Sequence, residues 1–220
     1  MAFDGIHRSF QKAAEQNRGL ERFTRKAADF LGYDLRRVTR LAYGSACREI
    51  IQGLAPERLD ACEVSAGENT DWRHMGYLSY RTLEWPDFDL SVEPLAPALT
   101  GQFDLVIADQ VLEHLLWPLR GVRNIHALLR PGGHALLMTP FLYPLHGHPV
   151  DCSRWTQDGL RHLLAEGGFA LDDVQTWGWG NKQTARRLLT SWPRMGWRRQ
   201  LPPNDPRCLL VVWALARKQG

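Results

Sequence analysis

Between Gln102 and Phe169 the chain alternates element types in an order that few folds accept. Residues 103–108 (Phe-Asp-Leu-Val-Ile-Ala) are a short, largely apolar run with β-branched residues. Such a run suits a strand buried on both faces of a parallel sheet. Val111-Leu112-Glu113-His114-Leu115 follows, and then Val122, Ile125, Leu128 and Leu129 recur at helical spacing. Arg130-Pro131-Gly132-Gly133 predicts the helix stop, because proline cannot continue a helix and glycine accepts a left-handed cap. Residues 135–139 (Ala-Leu-Leu-Met-Thr) read as a second buried strand. Strand, helix, Gly-rich turn and strand make a βαβ unit with a right-handed crossover, and hence an α/β fold.

The rest of the chain is consistent with one such domain. At 220 residues it is long enough to bury most of its apolar surface. A formal net charge of +3 is too slight to demand a nucleic-acid partner. Cys47, Cys62, Cys152 and Cys208 have no C-x-x-C spacing, so they indicate neither a zinc site nor a disulfide framework. Reduced thiols in a cytoplasm are the simplest expectation. No apolar run is long enough for a signal peptide or a membrane span. Ile6, Phe10, Ala13, Leu20, Phe23, Ala27 and Phe30 predict an amphipathic helix over residues 1–31. Ala46, Ile50, Ile51 and Leu54 predict a second over 44–54.

Three segments carry a resemblance: FDLVIADQVLEHL, LLRPGGHALLMTP and DCSRWTQDGLRHLLAEGGF. In this order they resemble the second half of a class I S-adenosylmethionine-dependent methyltransferase, and the match runs over about residues 60–169. The resemblance implies a Rossmann-like, mostly parallel seven-stranded sheet with helices on both faces. It also implies S-adenosyl-L-methionine as cofactor and S-adenosyl-L-homocysteine as product. A single domain over 1–220 would comprise N-terminal helices (1–56), a cofactor-binding core (57–180), an insertion (181–206) and a last strand (207–217).

The first half departs from the family pattern. That pattern has an acidic residue and then G-x-G-x-G after the first strand, here residues 59–64. Glu63 supplies the acid, but Ser65, Ala66 and Gly67 retain one glycine of three. All three are small, so the backbone can still come close to a cofactor. From Asn69 to Tyr80 there is little room for a crossover, which normally takes at least ~10–12 residues. A shortened helix is expected, with Trp72 covering apolar surface that a longer one would bury. Residues 77–83 read as the second strand, with Glu84 at its end, where a carboxylate accepts both ribose hydroxyls. Residues 86–90 read as a third strand, and Asp89 with Leu90 falls where relatives hold adenine. Asp109 and Gln110, just past the fourth strand, would lie beside the adenosyl moiety.

The loop after the strand at 135–139 carries His146, His148 and Asp151, with Tyr143 between two prolines. A histidine suits removal of a proton from an attacking hydroxyl or amine, and a neighbouring carboxylate fixes its tautomer. His146, His148 and Asp151 are therefore the candidate catalytic residues, with Asp151 and Arg154 also read as an ion pair and Thr156 as a helix cap. Glu113 and His114 read as structural residues packed at a helix start. Residues 181–207 hold Lys182, Arg186, Arg187, Arg194, Arg198 and Arg199 with Trp192 and Trp197. This segment can be a helical lid or a phosphate-binding surface. The expectation is methyl transfer to oxygen or nitrogen of a small molecule, a sugar or specialised metabolite, with no nucleic-acid or membrane partner. The alternatives are an RNA or protein methyltransferase, or a degenerate methyltransferase-like binding domain.

Overall fold

The computed structural model describes residues 34–66, 72–147, 150–190, 193–196 and 200–220. The helix expected over 1–31, Gly67, His148, Trp192, Trp197, Arg198 and Arg199 lie outside the described residues. The element order is β1 (Asp34–Arg37), α1 (Val38–Gly53), β2 (Asp60–Val64), β3 (Ser79–Leu83), β4 (Phe103–Asp109), α2 (Pro118–Leu128), β5 (Leu129–Pro140), α3 (Gln157–Glu166), β6 (Val174–Trp179), α4 (Lys182–Leu188), β7 (Arg194–Gly196) and β8 (Val211–Arg217).

Among the described residues, six strands form the main sheet in the order β3-β2-β4-β5-β8-β6. β3, β2, β4 and β5 are parallel, and β8 runs antiparallel to both of its neighbours. Alternation along the strands divides the core between two faces. Val106 and Ala108 of β4 join Ala135 and Leu137 of β5 on one side, where Val122 and Ile125 of α2 and Leu160 and Leu164 of α3 cover them. Leu105, Ile107, Leu136 and Met138 face the other way, under Tyr43, Cys47 and Ile51 of α1 and under Trp72. The expected mostly parallel, Rossmann-like sheet with helices on both faces is what forms.

Several local expectations are corrected. Residues 86–90 form turns instead of a third strand, so the main sheet ends at β3. Asp89 is the reason: its Oδ1 accepts from Ser91 N at 2.8 Å and from Ser91 Oγ at 2.7 Å. An aspartate that bonds its own backbone two residues on closes a turn and leaves no strand ladder. Asn124 Nδ2 donates to both Leu90 O and Val92 O at 2.7 Å, which fastens this segment under α2. The region 111–129 is divided too. Leu112–His114 is a 3-10 turn and α2 starts only at Pro118, because the residue before a proline avoids the helical region. No glycine caps α2, whose C-cap Leu129 is already extended. Its end carbonyls are met from far along the chain, where Lys218 Nζ donates to His126 O at 2.9 Å and to Leu129 O at 2.8 Å. Gly132, at φ +83°, instead lies inside β5, within its irregular pairing to β4.

Other expectations hold in altered form. Residues 72–76 form turns, and Trp72 is fully buried there, filling the space that a longer first helix would occupy. α1 begins at Val38, earlier than the stripe at 44–54 predicts. Thr156 caps α3, its Oγ1 accepting from Gly159 N at 3.0 Å. The basic insertion is docked: β7 pairs antiparallel with β1, and Met195 packs in the same core as α1. Its start is tied at Gly180, where an added Cβ would lie 1.8 Å from the backbone oxygen of Cys208, a position only glycine can hold.

Candidate active site

In a parallel sheet the strands' carboxyl ends share one edge, and ligands bind outside that edge. Two of the three non-glycine residues with positive φ among the described residues lie at this edge, the third being Ala55 ahead of β2. Ser65, one residue beyond β2, has φ +54°, and Gln110, one residue beyond β4, has φ +58°. Non-glycine residues in the left-handed region cost free energy and gather at functional sites. Among the described residues, buried side-chain atoms without a hydrogen-bond partner include Gln110 Nε2, both Glu113 carboxylate oxygens and Thr139 Oγ1. All follow or end β4 and β5 at this edge. Unpartnered buried polar groups call for an explanation, and a ligand that meets them is one.

The predicted cofactor residues fall into three settings. Glu84 is exposed and lines a cleft of about 390 Å³ together with Thr82, Leu83, Asp87, Phe88 and Leu99. Glu63 is buried in β2 and accepts a hydrogen bond from Tyr80 Oη. Asp109 is engaged by the chain itself, its carboxylate accepting from Arg40 Nη2 at 2.9 Å, Tyr43 Oη at 3.0 Å and Trp72 Nε1 at 3.1 Å. Burial, with Asp109 beside it, pushes the Tyr43 hydroxyl well above the usual tyrosine range, so it stays a neutral donor. Asp109 thus clamps α1 and the loop at Trp72 onto the end of β4. Asp89 is exposed in its turn and Leu90 is buried. Ser65 and Ala66 stand at the turn after β2, where Ser65 N donates to Leu83 O at 2.9 Å.

The loop leaving β5 returns along the same edge. Tyr143 and Thr39 share a hydroxyl–hydroxyl hydrogen bond that ties the loop to α1. Phe141, Leu142, Tyr143, Leu145, Asp151, Cys152, Ser153 and Arg154 surround a second cleft of about 230 Å³. His146 and Asp151 are brought together: His146 N donates to Asp151 Oδ2 at 2.9 Å, and His146 Nδ1 lies 3.3 Å from the same oxygen. Arg154 grips both Asp151 oxygens, Nη2 at 2.7 Å from Oδ2, and holds the carboxyl far below the usual carboxylate range. Burial pushes the His146 imidazole down, partly countered by the hydrogen bond to Pro144 O and by Asp151.

Glu113 and His114, read from the sequence as structural residues at a helix start, also reach this edge. They sit on the short turn after β4, and Glu113 is fully buried with its carboxyl pushed by burial up to about 8. Its Oε1 lies 3.7 Å from His114 Nε2 and 3.9 Å from His146 Nε2. The available signal was an acidic residue and a histidine placed directly beyond a buried strand, on the edge that the His-bearing loop also reaches.

An open α/β sheet with strained turns and unpartnered polar groups along its carboxyl edge is the setting in which such folds bind ligands. A family model described as a methyltransferase domain matches residues 20–193, so the chain belongs to that family and is an S-adenosylmethionine-dependent methyltransferase. No curated protein matches it. Among solved structures it is similar to a protein from Galdieria sulphuraria proposed to be a sarcosine dimethylglycine methyltransferase, at 12% identity and TM-score 0.53, covering 82% of this chain and 86% of that one. It is similar to the trans-methyltransferase CalH in complex with S-adenosylhomocysteine, at 16% identity and TM-score 0.51, covering 78% and 55%. It is also similar to a methyltransferase from Thermotoga maritima, at 15% identity and TM-score 0.50, covering 90% and 97%. At these identities the likeness shows the fold.

Proposed function

We propose that the chain methylates an oxygen or nitrogen of a small molecule, a sugar or a specialised metabolite. The observation that carries this reading is the 230 Å³ cleft after β5, with an apolar wall at Phe141, Leu142 and Leu145 and a charged one at Asp151 and Arg154. Clefts with that lining take small ligands with a few orienting polar groups. The residues fit the cofactor: the 390 Å³ cleft would take a nucleoside, and the Glu84 carboxylate makes no hydrogen bond or ion pair there among the described residues, only its backbone carbonyl accepting from Phe88 N. Glu84 would hold the ribose. Glu63, Ser65, Ala66 and Gly67 would form the turn against the cofactor, with Asp89, Leu90 and Gln110 beside its adenosyl part. Asp109 would act through the network that fixes α1. When bound, S-adenosylmethionine supplies a methyl group on a positively charged sulfur.

The protein's own contribution is then alignment and proton removal. Holding the acceptor in line with the methyl group supplies much of the rate, since the sulfur is already a good leaving group. His146, oriented by Asp151, takes the acceptor's proton, with His148 as the second candidate on the same loop.

The experiment is calorimetric titration of parent and Glu84→Ala protein with S-adenosylhomocysteine. Losing the carboxylate leaves ribose hydroxyls unpaired at ~1–3 kcal/mol, an affinity loss of roughly 5- to 150-fold. Equal affinity would remove Glu84 from the site, and no binding by the parent would favour a degenerate scaffold.

The basic insertion supplies the competing reading, an RNA substrate, since Arg186 and Arg187 of α4 are exposed. Phosphate contacts would make affinity fall steeply with salt. Filter binding of transfer RNA at rising salt is expected to show no retention at physiological ionic strength. Tight, salt-sensitive retention would overturn the small-molecule reading.

A further inference from the structure

We propose that Glu113, His114 and His146 form a binding site for one divalent transition ion, such as Zn²⁺ or Mn²⁺, at the rim of the acceptor cleft. One ligand atom from each residue lies within 4.8 Å of the others. The separations from Glu113 Oε1, 3.7 and 3.9 Å to the two Nε2 atoms, are too long for hydrogen bonds. They are short enough to be spanned by one ion at ~2.0–2.2 Å from each atom.

The protonation pattern points the same way. His114 Nδ1 lies 2.6 Å from Val150 O, and His146 Nδ1 lies 3.2 Å from Pro144 O and 3.3 Å from Asp151 Oδ2. Those oxygens only accept, so each Nδ1 carries a hydrogen, and Nε2 is the atom that each ring turns toward Glu113. Metal-binding histidines are oriented in this way, with the far nitrogen donating to a carbonyl or carboxylate. Glu113 is fully buried, and neither of its oxygens has a hydrogen-bond partner among the described residues. Two ring nitrogens and one buried, unpartnered carboxyl group therefore face one another. A cation satisfies all three at once.

The backbone holds the pieces in place. Glu113 and His114 lie on the turn after β4 and His146 on the loop after β5, and Cys152 N donates to Glu113 O at 2.7 Å, joining the two. Two imidazoles and one carboxylate suit Zn²⁺, Mn²⁺, Fe²⁺ or Co²⁺ better than Mg²⁺ or Ca²⁺, which favour oxygen alone. Three protein ligands leave coordination positions open, and Asp151, which orients His146, also lines the acceptor cleft. An acceptor hydroxyl placed on the ion would lose its proton more readily and be fixed for methylation. This role rests on the methyltransferase reading, whereas ion binding does not. With the ion present, His146 Nε2 would be a ligand instead of the base, and the proton of the bound hydroxyl would pass to solvent water.

The test is calorimetric titration of chelator-stripped protein with Zn²⁺ and with Mn²⁺, alongside a separate titration with S-adenosylhomocysteine. One equivalent of ion is expected to bind, giving the Co²⁺-substituted protein visible absorption bands from nitrogen–oxygen coordination. Glu113→Gln and His146→Ala should each weaken ion binding by at least ~100-fold, and Asp151→Asn by ~10–100-fold. His146 stands on a loop, so its variant keeps the test open if Glu113→Gln fails to fold. No stoichiometric binding of either ion, or binding that neither substitution alters, would overturn the site. A protein that binds S-adenosylhomocysteine but no ion refutes this site alone. One that binds ion but no S-adenosylhomocysteine retains the site and refutes the cofactor reading.

Discussion

His146→Ala is expected to lower turnover by ~10²–10⁴-fold while affinity for S-adenosylhomocysteine stays unchanged. That loss corresponds to ~3–5 kcal/mol of transition-state stabilisation, more than one surface contact can carry. The expectation follows from placement. His146 leaves the carboxyl end of β5, its Nδ1 is oriented by Pro144 O and Asp151, and its other nitrogen faces the site. Its contacts with His114, Tyr143, Pro144 and Asp151 are to residues that do not line the cleft at Glu84, so cofactor affinity is expected to hold. His148→Ala should be made in parallel, because both histidines were candidates on this loop. Near-parent turnover in both would mean that alignment alone does the work. A deficit in His146→Ala that excess Zn²⁺ or Mn²⁺ partly restores would identify it as a ligand instead of the base.

Asp109→Ala is expected to destabilise the fold by ~3–5 kcal/mol, a large part of the ~5–15 kcal/mol available to a protein domain. The Asp109 side chain is only 4% exposed, and its removal takes from the buried Tyr43 hydroxyl and Trp72 indole N–H the carboxylate to which they donate. An unsatisfied buried donor costs ~1–3 kcal/mol, and here there are two. Arg40→Ala should cost less than Asp109→Ala, since its side chain is 43% exposed and the Asp109 carboxylate keeps the hydrogen bonds from Tyr43 and Trp72. Urea unfolding of the three proteins decides the matter. Equal midpoints for parent and Asp109→Ala would show that the clamp holds nothing. A large loss would show that the seating of α1 on the sheet depends on a residue at the carboxyl end of β4.

Pattern on the chain determined the layers. The run at 103–108 became β4 and the run at 135–139 falls within β5, both paired in parallel, because residues apolar on both faces can only be buried between helices. Thr156 as a cap, Trp72 as a plug and the Asp151–Arg154 ion pair were legible for the same reason: each depends on neighbours a few residues away or on a shortage of chain nearby. Tertiary structure decided what depends on distant partners. Residues 86–90 look like a strand, but the Asp89 turn and Asn124 from α2 hold them as a loop. Asp109 reads as an open carboxylate until Arg40, Tyr43 and Trp72 arrive from three separate stretches. Glu113 reads as a helix residue until two histidines, one of them 33 positions along the chain, close on it. Periodicity records which face of an element is apolar, whereas the pairing of polar groups across elements is settled only when the sheet brings its carboxyl ends to one edge.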